Sequence, residues 1–100
     1  MTNKLKSESL DELFEALLLL KNVDECYSFF KDLATISELK SLAQRLQVAK
    51  LLREDETYTA ISAQTGASTA TISRVKNCLL YGADGYTLIL DRLKEKQSKH

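Results

Sequence analysis

No proline occurs anywhere in the 100-residue chain, and its first glycine is Gly66, so the first 65 residues contain neither of the residues that ordinarily end a helix. Leucine appears 18 times against three valines and four isoleucines, which favours the unbranched helix former over the β-branched strand formers. The fold class read from this is all-α. At 44% apolar and 28% charged, the chain reads as one globular domain over residues 1–100, with interior for a single modest core.

The same inventory excludes several chemistries. The one histidine, His100, ends the chain, so a nucleophilic triad or a His-ligated metal site would have to be built at a frayed terminus. Cys26 and Cys78 form no CxxC and cannot alone supply a four-ligand zinc site; they read as buried apolar thiols of a reducing compartment. Nothing in the pattern asks for a cofactor or metal, and the chain is not read as an enzyme. The segment MTNKLKSESLDEL carries acids where a secretion signal has its apolar core. The longest apolar run, Ala16 to Leu20, is far too short to span a bilayer, so the expected location is cytoplasmic with no membrane partner.

Helical periodicity organises the first half. Ser9-Leu-Asp-Glu12 has the form of a capping box, followed by Leu10, Leu13, Phe14, Leu17 and Leu18 at i, i+3, i+4, i+7 and i+8, which predicts a helix from Ser9 to about Lys21. Asn22 or Asp24 caps a second helix whose stripe is Val23, Cys26, Tyr27, Phe30 and Leu33. Thr35-Ile-Ser-Glu38 opens the longest helix, to about Arg53, with Leu39, Leu42, Ala43, Leu46, Ala49 and Leu52 along one side and Val48 and Leu51 widening the stripe. These three stripes read either as core and nothing else or, because so much apolar surface is more than one short chain can cover, as burying also against a second copy of the chain. Residues 9–53 are accordingly read as dimerisation helices. Glu54-Asp55-Glu56 reads as a solvated connection, 84–94 as a closing helix, and 95–100 as a mobile basic tail.

Charge is balanced at 14 against 14, but unevenly placed: Thr57 to Ala83 contains no carboxylate, two cations (Arg74 and Lys76) and eight serines and threonines. Because salt limits the reach of distant charges to about 8 Å, such a patch can approach phosphates on a neutral chain.

Within that window the segment 58–77, YTAISAQTGASTATISRVKN, meets the requirements of a helix-turn-helix, assigned to 57–80. Two short helices crossing steeply need a small residue at their contact, a residue tolerant of positive φ in the turn, and apolar residues holding the second helix on the first. Ile61 supplies the first apolar contact, Ser62 the small residue, Gly66 the left-handed turn, Ala67 the next contact, and Ile72 and Val75 the inner face. Thr65 stands where a larger apolar residue is usual. The outward set of the second helix is then drawn from Ser68, Thr69, Thr71, Ser73, Arg74 and Lys76. Short hydroxyls and free N–H groups at a helix start suit phosphates and base edges, and arginine can also read guanine bidentately.

Leu51-Leu-Arg53 followed by GASTATISRVKNCLL from Gly66 to Leu80 resembles the Trp repressor family, and within it the YerC/YecD branch of small bacterial proteins. The resemblance covers nearly the whole chain in helix order and length. It implies a Trp repressor-like helical fold, an intertwined homodimer, and two reading heads for double-stranded DNA. It also implies that Ser68, Thr69 and Ala70 approach the major groove, that Thr71 and Ser73 match threonines of the recognition helix, and that Arg74 matches its arginine. Thr59 replaces a DNA-contacting arginine, which implies a different operator. In the family's effector pocket Arg74 is one wall, Arg45 matches the second arginine with a one-residue shift, and Val75 replaces a glycine, filling the space of the indole. The expected function is a DNA-binding transcriptional regulator, a repressor independent of tryptophan, with any other effector unidentified. A second reading of the same helices is a protein–protein interaction module that does not touch DNA.

Overall fold

The computed structural model describes residues 5–98, and among them it contains six α-helices and no strand: α1 (Glu8–Leu17), α2 (Val23–Leu33), α3 (Ile36–Arg53), α4 (Tyr58–Thr65), α5 (Thr69–Tyr81) and α6 (Gly85–Ser98). The chain divides into two compact units at the start of α3, one ending at Ile36 and the other beginning at Ser37. Among the described residues no helix is long and apolar enough to cross a membrane.

In the first unit the helix boundaries differ from the predicted ones. Ser7, not Ser9, caps α1: in extended conformation, its Oγ accepts from the Leu10 N–H at 3.2 Å. This register puts Glu8 in the positive first turn and lets Asp11 pair with Lys6 at 3.0 Å. α1 then stops at Leu17, short of Lys21, through two tight bonds in which the N–H groups of Leu19 and Leu20 donate to the carbonyls of Ala16 and Leu17. The cause lies downstream. The Lys21 N–H donates to the Glu25 carboxylate and the Glu25 N–H to Asn22 Oδ1, both at 2.9 Å, so these residues are committed to starting α2 with Asn22 as its cap. On α2 the Phe29 and Phe30 rings meet edge to face, 5.9 Å apart. Neither α1 nor α2 holds a buried residue.

The second unit holds the core. Val48 and Ala49 of α3, Ile61 of α4, Ala67 of the following turn, Ile72 and Val75 of α5 and Leu90 of α6 are buried together, with Leu46, Leu51, Leu52, Tyr58, Leu79 and Tyr86 packed around them. The centre of α3 is thus Val48 with Ala49, whereas Leu42, expected on the main stripe, is exposed. Cys78 is exposed as well and Cys26 half-buried, contrary to the expectation of two buried thiols. On α5 it is Leu79 that continues the inner row of Ile72 and Val75, which turns Cys78 outward.

The acidic connection proves to be a helix-terminating motif. Asp55 takes φ 61°, its N–H donates to the Leu52 carbonyl, and the Glu56 N–H reaches back to Leu51, the bond pair of a Schellman end. After α5, a Cβ at Gly82 would lie 2.4 Å from the Cys78 carbonyl oxygen, so only bare backbone fits that turn. α6 runs past the predicted end at Lys94 to Ser98, since Glu95, Lys96 and Gln97 are good helix formers with no breaker among them, and Ser98 Oγ donates to the Glu95 carbonyl at 3.0 Å. The predicted mobile tail is therefore helical as far as Ser98, and 99–100, with His100, lie outside the described residues. Arg53 closes the end of α3 onto α6 through Asp91 at 2.6 Å.

Candidate nucleic-acid interface

α4 and α5 form the predicted motif, and local hydrogen bonds explain why. Thr57 caps α4, its side chain accepting from the Ala60 N–H at 3.1 Å. Gly66 ends that helix in the left-handed region at φ 75°, where a side chain would be strained, and its N–H donates to the Ser62 carbonyl at 2.8 Å. Thr65 earns its place by its hydroxyl: Oγ1 donates to the Ile61 carbonyl at 2.8 Å and accepts from the Ala67 N–H at 3.1 Å, bridging the turn from both sides. Ser62, expected at the contact of the two helices, is exposed; the contact is made by Ile61, Ala67, Ile72 and Val75.

Ser68 caps α5. Its Oγ accepts from the Thr71 N–H and donates to Thr71 Oγ1, each at 3.1 Å, while its carbonyl takes the Ile72 N–H. Among the described residues this leaves the N–H groups of Thr69 and Ala70 without a partner in the chain, at the positive end of a 13-residue helix. Ile72 and Val75 point inward and are buried. Of the predicted contacts, Thr59, Ser68, Thr69, Ala70, Arg74 and Lys76 are exposed, whereas Thr71 and Ser73 are half-buried. Ala70, Arg74 and Asn77 share one outward row at i, i+4 and i+7, which adds exposed Asn77 to the set; its spacing from Arg74 was the available signal. The Arg74 guanidinium makes no hydrogen bond or ion pair among the described residues. Lys76 leans the other way, its ammonium 5.7 Å from the centre of the Tyr58 ring, which braces α5 against α4.

The residues assigned to an effector differ in burial, Arg74 being exposed on α5. Val75 is only 2% exposed and belongs to the core; Arg45 is half-buried on α3. The α3 residue that does reach the motif is Gln44, whose Nε2 donates to the Thr65 carbonyl at 3.1 Å. Periodicity gives no sign of it, because the two residues are brought together only by the fold.

Comparison with known proteins agrees along the chain's length. The Trp repressor protein family matches residues 8–94. The uncharacterized protein YerC of Bacillus subtilis is 58% identical over 97 residues, which cover 97% of this chain and 93% of YerC. Among solved structures, a Staphylococcus aureus protein described as a candidate Trp repressor superposes with a TM-score of 0.88 at 57% identity, covering 91% of each chain. A TrpR-like protein from Eubacterium eligens gives 0.89 at 55% identity, covering 93% of this chain and 96% of the other.

Proposed function

The chain belongs to the Trp repressor family, and from that membership we propose that it is a sequence-specific DNA-binding transcriptional regulator, a repressor rather than an enzyme, acting as a homodimer. The observation that carries the reading is the outward row of α5, Ala70, Arg74 and Asn77, on a motif free of carboxylates from Thr57 to Ala83 and held from behind by Ile72 and Val75. In this reading the free N–H groups of Thr69 and Ala70 take a phosphate at the edge of the major groove, and Ser68, whose hydroxyl is engaged with Thr71, fixes the helix start that presents them. Arg74 and Asn77 face base edges, as arginine pairs with guanine and asparagine with adenine. Thr59 and Lys76 flank the backbone, and Thr71 and Ser73, half-buried, shape the recognition helix from its sides.

The dimer follows from what the single chain leaves bare. Leu18, Leu19, Val23 and Tyr27 on and between α1 and α2 are mostly exposed, as are Leu88 and Ile89 of α6 in large part. A second copy covering these faces, with the helices of the two chains interleaved, removes that surface from water.

Titration of the full chain against genomic fragments over a salt series tests the function. Affinity for a preferred fragment should fall steeply and log-linearly with salt, in proportion to the phosphates neutralised. Absence of DNA binding would overturn the reading in favour of a protein–protein interaction module. Burial of Val75 further supports binding that is independent of L-tryptophan, with no rise in melting temperature at millimolar tryptophan. A ligand at 100 times its Kd would stabilise the fold by about 2.7 kcal/mol, and such a shift would return Arg45 and Arg74 to the role of effector ligands.

A further inference from the structure

Among the described residues, one side-chain hydrogen bond ties the turn that carries the recognition helix to α3, and two further groups of the turn are held locally. Thr65 Oγ1 is shared between the Ile61 carbonyl and the Ala67 N–H, and the Gly66 N–H is held by Ser62. The Thr65 carbonyl, at the C-terminus of α4, is among those that a helix end leaves without an intrahelical partner. Gln44 takes it, from a half-buried position 21 residues away. Gln44 lies one helical turn before Val48, the fully buried centre of α3, so the bond joins the turn to the packed stretch of that helix. In the groove beside it, lined by Lys40, Ala43, Gln47, Leu51 and Gln64, Lys40 is the one charged side chain.

Resting on the DNA-binding reading, we propose that Gln44 is the positioning residue of the recognition helix: its bond to Thr65 sets the angle at which α4 and α5 stand on α3, without a bound effector. The bond is of ordinary length, partly shielded from water and made by a neutral amide, so it acts at any pH or salt at which the fold persists. A bond of this kind changes orientation more than stability, since the buried row Ile61, Ala67, Ile72 and Val75 holds α4 and α5 together whether or not Gln44 is present.

The test compares Gln44→Met, which keeps length but removes the donor, with Gln44→Lys, which keeps a donor of similar reach. Amide exchange of the full chain is read without DNA. Gln44→Met should speed exchange at Gly66 and Ala67 about 3- to 10-fold, the span expected for one hydrogen bond, and lower the melting temperature by no more than the few degrees that one such bond accounts for. On DNA, the ratio of specific to non-specific affinity should fall by a similar factor with the salt slope unaltered, because the same phosphates are met at the wrong angle. Gln44→Lys should recover most of both effects. Unchanged exchange at Gly66 and Ala67 in Gln44→Met, or a loss that Gln44→Lys does not recover, overturns the positioning role. A wild-type chain that binds no DNA overturns the function instead, and the exchange measurement still decides whether Gln44 holds the turn.

Discussion

α1 and α2 are the most sharply amphipathic helices of the chain, and they bury no residue; α3 and α4 show almost no apolar asymmetry, and they supply Val48, Ala49 and Ile61 to the core. The contrast separates two meanings of an apolar stripe. A stripe states that a face must leave water, but not that the same chain will cover it. In the second unit, apolar residues on several sides of α3 serve several neighbours at once, which blurs the periodicity while raising burial. In the first unit the clean stripes are nowhere fully buried in the single chain, and Phe14, Leu18, Val23, Tyr27 and Leu33 of them are exposed.

The largest expected effect separates the two units directly. Ile61→Ala, at a fully buried site, should destabilise the fold by about 2–5 kcal/mol in denaturant titration, through lost transfer energy and the cavity left behind. Leu19→Ser, at a site 77% exposed in the single chain, should disturb no packing within the chain and instead weaken self-association by roughly tenfold or more in sedimentation. A stable monomer at micromolar concentration in the wild type would break the comparison, leaving the stripes of α1 and α2 without a purpose.

Arg74→Ala comes next in size. Its side chain is exposed and its helix is held by Ile72 and Val75, so folding should be unaffected while DNA affinity falls by about 1–3 kcal/mol, with specificity relaxed at one position if a base is read. Uniform weakening across sequences would instead place Arg74 on a phosphate. Asp55→Gly gives the smallest effect. The Schellman end of α3 requires the left-handed conformation that Asp55 adopts at φ 61°, and glycine should add about 0.5–1 kcal/mol to the stability of the second unit in thermal melts. A destabilised variant would show that the aspartate side chain, not the backbone, holds that turn.

The sequence by itself determined the all-α class, the order of the six helices, the helix-turn-helix and its inward residues Ile61, Ala67, Ile72 and Val75. These rest on interactions within a few residues: Gly66 for a positive φ, Ser68 and Thr57 as caps, and 3.6-residue periodicity. Where two local solutions compete, the sequence is ambiguous. Ser7 and Ser9 can each cap α1, and the leucines through Leu20 could have continued it had Glu25 not claimed the Lys21 N–H and Asn22 the Glu25 N–H. Thr65 looked like a misfit because its hydroxyl acts on the backbone rather than in packing. Only the tertiary structure decided that Gln44 bonds the turn, that Arg53 reaches Asp91, that Leu79 rather than Cys78 faces the core, and that Val48 rather than Leu42 is central to α3. Each of these depends on which helices meet and at what angle, and that is set by the sum of many weak packing contacts across the chain, which leaves no mark at any fixed spacing in the sequence.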